Sequence, residues 1–324
     1  MQHLLAMDEL TASDIESLCL LAKHYKHQNN QKNKKNLYYF DQPLKNQRVA
    51  LLFFENSTRT QLSFELAAKH LGAICLSPVL SQSSLEKGES IADMVNTLAA
   101  MGVTYFVIRH PEDSFCQDLA KQLLFPVHII NAGTGQAHHP SQALLDLFTL
   151  KEMGKNLKQL SIALVGDLKH SRVAHSLVTG LRCLGTTDIR LIAPKSLLPN
   201  WIQNERSYTN LHDGLKHVDA IVCLRLQRER LAHDEAVALN QAEFFHHFRL
   251  NHDHLQLAKP DAVIMHPGPV NRDHEIVSEL VDSSQSVIFK QVQHGLFMRM
   301  AVLTQIGQFA CVPETKTLNF SVSL

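Results

Sequence analysis

No CxxC pair occurs in the sequence, and its six cysteines, Cys19, Cys75, Cys116, Cys183, Cys223 and Cys311, are widely scattered. A chain of 324 residues needs no covalent staples, so these read as reduced thiols of a cytoplasmic protein; a disulfide framework or zinc site is not expected. Net charge is also missing: Lys plus Arg and Asp plus Glu each number 31. That balance excludes a general nucleic-acid or membrane-surface binder and leaves any basic chemistry to be local. No stretch approaches about 18 uninterrupted apolar residues, and Met1 to Leu10 lack a basic start followed by a long apolar run. The expectation is a protein neither exported nor membrane-spanning. HExxH, GxGxxG, internal repeats and low-complexity tracts are absent as well, which argues against a zinc hydrolase, a dinucleotide enzyme and a repeat array.

What is present is an ordinary globular composition, 45% hydrophobic and 19% charged, in a chain longer than one core usually serves. Two domains with a site between them are expected. Short runs rich in Val and Ile alternate with longer helical patterns, the mark of strand–helix–strand units and parallel sheets. One series comprises Val49 to Phe54, Ala73 to Leu76, Tyr105 to Ile108 and Val127 to Ile130. The other comprises Ser161 to Val165, Asp188 to Ala193, Ala220 to Leu224 and Ala262 to Met265. The fold class is therefore α/β, with two parallel sheets flanked by helices and an interdomain cleft. Ser141 to Met153 has Leu144, Leu145, Leu147, Phe148 and Leu150 at helical spacing, with Gly154 as a stop; this predicts a helix joining the domains. The domains are expected at 1–147 and 148–295, with a last helical pattern from about Leu296 returning to the first domain. Gln28 to Asn36 is polar and Lys-rich and reads as a solvated loop.

Ligands of open α/β sheets gather at the carboxyl ends of the strands. Six post-strand segments are polar there: Glu55 to Thr60, Arg109-His110, His139 to Gln142, Gly166 to Arg172, Arg225 to Gln227, and His266 to Pro269. Four of the six contain an arginine although the protein is neutral overall. Such a concentration suits a small polyanionic substrate held by charge-assisted hydrogen bonds. Ser57-Thr58-Arg59-Thr60 stands at a strand-to-helix turn, where hydroxyls, a guanidinium and free N–H groups suit a phosphate. A simple N-cap explains the same hydroxyls without any ligand, and the tetrapeptide alone favours the cap.

Phe53 to Thr60 resembles the carbamoyl phosphate motif of the carbamoyltransferases. The resemblance continues in family order through His139-Pro140-Ser141-Gln142, Gly166-Asp167-Leu168-Lys169, Arg225-Leu226-Gln227 and His266-Pro267-Gly268-Pro269, and covers roughly residues 40–310. The ornithine-using relatives carry His-Cys-Leu-Pro where this chain has His266-Pro267-Gly268-Pro269, so the resemblance is to the aspartate-using branch. It implies transfer of a carbamoyl group from carbamoyl phosphate to aspartate, the committed step of pyrimidine synthesis, without a cofactor or metal.

By that resemblance Ser57, Thr58, Arg59 and Thr60 hold the phosphate, and Arg109 reaches a phosphate oxygen and the carbonyl. Thr60, Arg109 and His139 polarise the carbonyl oxygen, in the manner of an oxyanion site. Gln142 holds the carbamoyl nitrogen together with backbone carbonyls near Pro267 and Gly268. Arg172 takes the α-carboxylate of aspartate, and Arg225 and Gln227 take the β-carboxylate. Glu55 and Arg230 orient these arginines. In relatives a Ser and a Lys of the loop corresponding to Ser83 to Ser90 enter a neighbouring subunit, which points to Ser84 and Lys87 and implies a homotrimer with shared sites. This loop is one residue shorter than in some relatives. A regulatory-chain or dihydroorotase partner is a further implication. Most of the 20 histidines, including His138, His246, His247, His252 and His254, read as surface residues. A catalytically silent relative and a transferase for another amine are the rival readings. An intact set of Arg59, Lys87, Arg109, His139, Arg172 and Arg225 argues against the silent one.

Overall fold

The computed structural model describes residues 1–30, 40–80, 84–227, 230 and 241–308. Two parallel sheets form from the two series of Val- and Ile-rich runs. The first contains β1 (Arg48–Phe53), β2 (Ile74–Leu76), β3 (Tyr105–His110) and β4 (His128–Thr134) in the order β2-β1-β3-β4. The second contains β5 (Ser161–Gly166), β6 (Asp188–Ile192), β7 (Arg206–Tyr208), β8 (Ala220–Leu224) and β9 (Val263–Met265) in the order β7-β6-β5-β8-β9. β3, β4, β5 and β8 are buried almost throughout, which explains their continuous apolar runs: helices cover both faces of a parallel sheet. β7 escaped the sequence reading because Arg206-Ser207-Tyr208 is a short, partly exposed edge strand with no apolar run.

In each sheet the strand order reverses once. After β1 the chain passes through helix α2 (Thr58–His70) to β2 on one side, and β3 then pairs with β1 on the other. Likewise β5 leads through helix α6 (Arg172–Cys183) to β6 on one side, while β8 takes the opposite side. Crevices therefore open at the carboxyl ends of β1/β3 and β5/β8, the usual ligand position in such sheets. Phe53 is paired with Arg109, and Gly166 with Leu224. Gly166 has φ +122°, and a Cβ there would lie 2.2 Å from the Leu224 carbonyl oxygen. Only glycine lets β5 and β8 approach at that point.

Between the sheets lie α5 (Pro140–Glu152) and the final helix (Ile288–Gly307). α5 ends where expected, with Gly154 at φ +75° and its N–H bonded to the Lys151 carbonyl. The final helix corrects the sequence reading, since it begins at Ile288 and not near Leu296. Its buried face includes the polar residues Gln291, His294 and Arg299, which interrupt the apolar period that should have marked its first turns. It packs on α1 (Ala12–Asn30), α2 and α5. Phe297, Met298, Met300, Val302, Leu303 and Ile306 are each at most 1% exposed. At about 1.5–3 kcal/mol per side chain, their burial contributes on the order of 10 kcal/mol before ordering costs. Residues beyond 308 lie outside the described residues, as do 31–36 of the segment read as a solvated loop; Gln28 to Asn30 are the last turn of α1.

One apolar cluster runs from the first sheet through α5 and the final helix into the second sheet, and a smaller one fills the other face of the first sheet. The five described cysteines are unpaired. Among the described residues no helix is long and apolar enough to cross a membrane.

Candidate active site

A cleft of about 790 Å³ opens between the sheets and takes residues from both switch points. On its first wall the turn after β1 leads into α2. Ser57 occupies the N-cap position with φ −159° and ψ 77°, yet its side chain makes no capping hydrogen bond. α5 starts in the same way: His139 is the N-cap residue, with no side-chain cap, ahead of Pro140. By contrast Ser90 caps α3 (Ile91–Ala100) by accepting from Asp93 N–H, and Ser171 caps α6 by accepting from Ala174 N–H. Helix starts that face a cleft uncapped present unpaired N–H donors and positive dipole ends, an anion-binding arrangement. This decides between the two readings of Ser57: the hydroxyl is not used as a cap.

Arg59, Arg109, Arg172, Arg225, Arg230 and Arg299 line the cleft, as does Arg272, which is paired with Asp282. Burial, then the nearby Arg225 charge, lowers the Arg59 guanidinium from its ordinary value. Burial lowers Arg109 to about 9; Arg172 adds to the effect and Glu55 opposes it. Glu55 stands between two of these cations. Its Oε2 accepts from Arg172 Nη2 at 2.7 Å and lies 3.3 Å from Arg109 Nε, a contact without hydrogen-bond alignment. Arg172 Nη1 also donates to the Gly135 carbonyl at 3.0 Å, and Arg109 Nη1 to that of Ala132 at 3.3 Å. Gly133 lets both planar groups lie against the backbone: at φ +122°, its Cβ would meet Arg109 Nη1 at 2.8 Å and Arg172 Cζ at 3.3 Å.

His139 is 5% exposed and its Nδ1 is buried without a hydrogen-bond partner. Burial first, and then the charges of Arg109, Arg172, Arg299 and Arg230, hold it well below the usual histidine value. It is therefore a neutral imidazole near pH 7, with one N–H to give. Gln142, one turn into α5, also lines the cleft. Across from it the exit of β9 brings Pro267 and Gly268; His266 Nδ1 accepts from Gly268 N–H at 2.8 Å and His266 Nε2 donates to Glu275 at 2.9 Å.

The second wall is held from below by a buried carboxylate. Asp167, 0% exposed, accepts from His170 Nδ1 at 2.9 Å through Oδ1 and from Gln227 N–H at 3.0 Å through Oδ2. Arg230 Nη1 donates to the His170 carbonyl at 2.9 Å. Asp167 therefore ties the loop after β5 to the loop that carries Arg225 and Gln227.

Fourteen sequence candidates meet at this cleft: Glu55, Ser57, Thr58, Arg59, Thr60, Arg109, His139, Gln142, Arg172, Arg225, Gln227, Arg230, Pro267 and Gly268 all line it. Lys87 does not. It lies exposed at the end of a 3₁₀ turn, Ser84–Lys87, away from the lining, and the Ser84 side chain is outside the described residues. Sequence reasoning missed Arg299, Gln291 and Asp146. Arg299 stacks over Phe64 at 5.1 Å and donates to Ser63 Oγ at 3.1 Å; its signal was a lone arginine inside the apolar stretch Leu296 to Leu303. Among the described residues no cysteine lines the cleft, and burial raises the thiols of Cys19, Cys75, Cys116 and Cys223. Among the described residues no three His, Cys, Asp or Glu side chains gather as a metal-ligand set. The chemistry on offer is the fixation of several negative charges, with neutral donors aimed between them.

Two family profiles match successive parts of the chain: the aspartate/ornithine carbamoyltransferase carbamoyl-P binding domain over residues 2–152, and the Asp/Orn binding domain of the same group over 158–306. The chain is 48% identical over 303 residues to an aspartate carbamoyltransferase catalytic subunit of Coxiella burnetii, covering 93% of this chain and 94% of the relative. To the protein of that name from Legionella pneumophila it is 45% identical over 307 residues, covering 94% and 99%. Its fold is similar to a crystal structure of aspartate transcarbamoylase from Trypanosoma cruzi in complex with carbamoyl aspartate and phosphate. The TM-score is 0.83 at 29% identity, covering 94% of this chain and 95% of that one.

Proposed function

The chain belongs to the aspartate/ornithine carbamoyltransferase family, and from that premise we propose that it transfers the carbamoyl group of carbamoyl phosphate to L-aspartate, releasing N-carbamoyl-L-aspartate and phosphate. The observation that carries this reading is the convergence of seven arginines and two uncapped helix starts on one cleft in a chain of zero formal charge. A phosphate and two carboxylates are what such a site neutralises.

In this reading residues 1–147 bind carbamoyl phosphate and 148–295 bind aspartate, with the final helix returning to the first domain. Ser57, Thr58, Arg59 and Thr60 take the phosphate, and Arg109 spans phosphate and carbonyl. Thr60, Arg109 and neutral His139 polarise the carbonyl oxygen; Gln142 and backbone carbonyls near Pro267 and Gly268 accept from the carbamoyl amine. Arg172 pairs with the α-carboxylate of aspartate, and Arg225 with Gln227 pairs with the β-carboxylate. The uncharged amine attacks the carbonyl carbon, a tetrahedral intermediate forms, the C–O bond to phosphate breaks, and the departing phosphate takes the amine proton. Charge stabilisation of the oxyanion is worth about 3 kcal/mol per fixed donor. Alignment of the two substrates contributes about 7–11 kcal/mol in favourable cases. No residue becomes covalently bound and no cofactor takes part.

The enzyme works in the cytoplasm at the committed step of pyrimidine synthesis, as a homotrimer in which Ser84 and Lys87 of one subunit complete the site of the next. An exposed Lys87 away from its own cleft supports that reading. Steady-state assays with carbamoyl phosphate and either aspartate or ornithine test it: turnover with aspartate alone is expected, and turnover with neither would sink it. Mixing Lys87→Ala with Arg59→Ala chains is expected to restore activity through the intact composite sites.

A further inference from the structure

Asp146 lies on α5, one turn beyond Gln142, and is 0% exposed. Its Oδ1 accepts from Gln142 Nε2 at 3.0 Å and from Gln291 Nε2 at 2.8 Å. Gln291 Oε1 in turn accepts the backbone N–H of His266 at 2.8 Å, and His266 Nδ1 holds the N–H of Gly268 at 2.8 Å. One carboxylate thus links the first wall's Gln142, the final helix and the loop after β9.

An ionised carboxylate only accepts, whereas a glutamine amide has a donor end and an acceptor end. A carboxylate between two glutamines therefore forces both to turn their N–H₂ groups inward. For Gln291 the outward oxygen is consumed by His266. For Gln142, which lines the cleft, Oε1 is the end left to face the ligand. Burial raises the Asp146 carboxyl to about 7, while the two amide donors and the Arg299 charge oppose the rise and favour the ionised form.

We propose that Asp146 is a positioning residue that sets the acceptor-out orientation of Gln142 and thereby makes the cleft select a donor with an N–H₂ group over one with a methyl group at the same place. Through Gln291 and His266, the same carboxylate also supports the loop that carries Pro267 and Gly268. The inference rests on the carbamoyl phosphate reading given above. It adds the residue that decides which end of the glutamine amide meets the substrate.

The test compares dissociation constants of carbamoyl phosphate and acetyl phosphate by titration calorimetry, with thermal melts and steady-state rates for each variant. The unaltered protein is expected to prefer carbamoyl phosphate by about tenfold or more, the worth of a well-made hydrogen bond. In Asp146→Asn an inward donor competes with both glutamines, so the preference is expected to fall within about threefold of unity while acetyl phosphate affinity changes less than about threefold. Gln291→Met leaves Asp146 on Gln142, so the preference is expected to persist while kcat falls about tenfold as the Pro267 loop loosens. A cooperatively folded Asp146→Asn with the original preference overturns the proposal. Should Asp146→Asn not melt cooperatively, Gln291→Met decides: retained preference with lowered kcat supports the role, and lost preference overturns it. An unaltered protein that binds neither donor removes the functional reading itself, whereas an active one with an unchanged ratio in Asp146→Asn removes only this inference.

Discussion

The wall built by β1 and β3 meets a ligand with hydroxyls and N–H groups from two uncapped helix starts, whereas the wall built by β5 and β8 meets it with guanidiniums from the start of α6 and from a loop propped by a buried carboxylate. The first is local, since Ser57 to Thr60 are consecutive and the start of α2 orients them. The second is composite: Arg225 and Gln227 depend on Asp167, about 60 residues away in sequence, through the hydrogen bond to Gln227 N–H. Helix starts contribute backbone donors that no side-chain change removes. Guanidiniums on loops contribute planar recognition that can be retuned one residue at a time.

The largest effect should come where the walls meet. Arg109 is paired with Glu55 of its own wall, and Glu55 also holds Arg172 of the other wall. Arg109→Ala is expected to lower kcat/KM about 10³-fold, as loss of an oxyanion donor does, and steady-state kinetics on both substrates would show it. A loss confined to aspartate KM would mean that Arg109 belongs to the second wall only.

Arg225→Ala sharpens the separation. The KM for aspartate is expected to rise about 100-fold, in line with truncating one partner of a charge-assisted pair. The carbamoyl phosphate dissociation constant should change less than about twofold, as expected for a site on the other wall. Equal losses of both would show that the walls do not bind independently.

Two serines give a more delicate comparison. Ser171 caps α6 and Ser57 does not cap α2. Ser171→Ala is expected to cost about 1 kcal/mol of stability with carbamoyl phosphate affinity nearly unchanged. Ser57→Ala should leave the melt almost unmoved and weaken carbamoyl phosphate binding about tenfold. Denaturant melts and calorimetry on the two variants check both halves.

The smallest effect is pH dependence. Burial, with a lesser contribution from His128, lowers His3 to about 4 from an ordinary 6.5; burial, with Lys26 next, lowers His294 to about 4. Above about 6.5 neither state gains a proton at these sites. As pH falls from about 6.5 toward about 4, the unfolded chain takes up protons that the folded chain excludes, so stability is lost on acidification. Asp146 has the opposite sign, because its folded value, about 7, lies above its ordinary 3.8. Its stabilising contribution is complete below about 3.8 and is lost as pH rises through about 7. Scanning calorimetry should show the melting temperature falling by a few degrees between pH 6.5 and 4.5, and the slope should flatten in His294→Gln.

The first wall was legible because its residues are contiguous: Phe53 to Thr60 placed a strand, a turn and a helix start in one run, and β1 and α2 form there. The strand-end arginines were legible too, since apolar runs mark where strands stop. Sequence alone left the use of the Ser57 hydroxyl open and placed the start of the final helix too late, near Leu296 instead of Ile288. Capping is a matter of one side chain's rotamer, which tertiary contacts set, and the final helix hides its first turns because Gln291, His294 and Arg299 are buried polar residues with partners far along the chain. Local composition thus determined the strands, the loops and the identity of the anion-binding groups. Only the packed structure decided which buried carboxylates hold them, because Asp146, Asp167 and Glu275 acquire their meaning from partners that folding brings together.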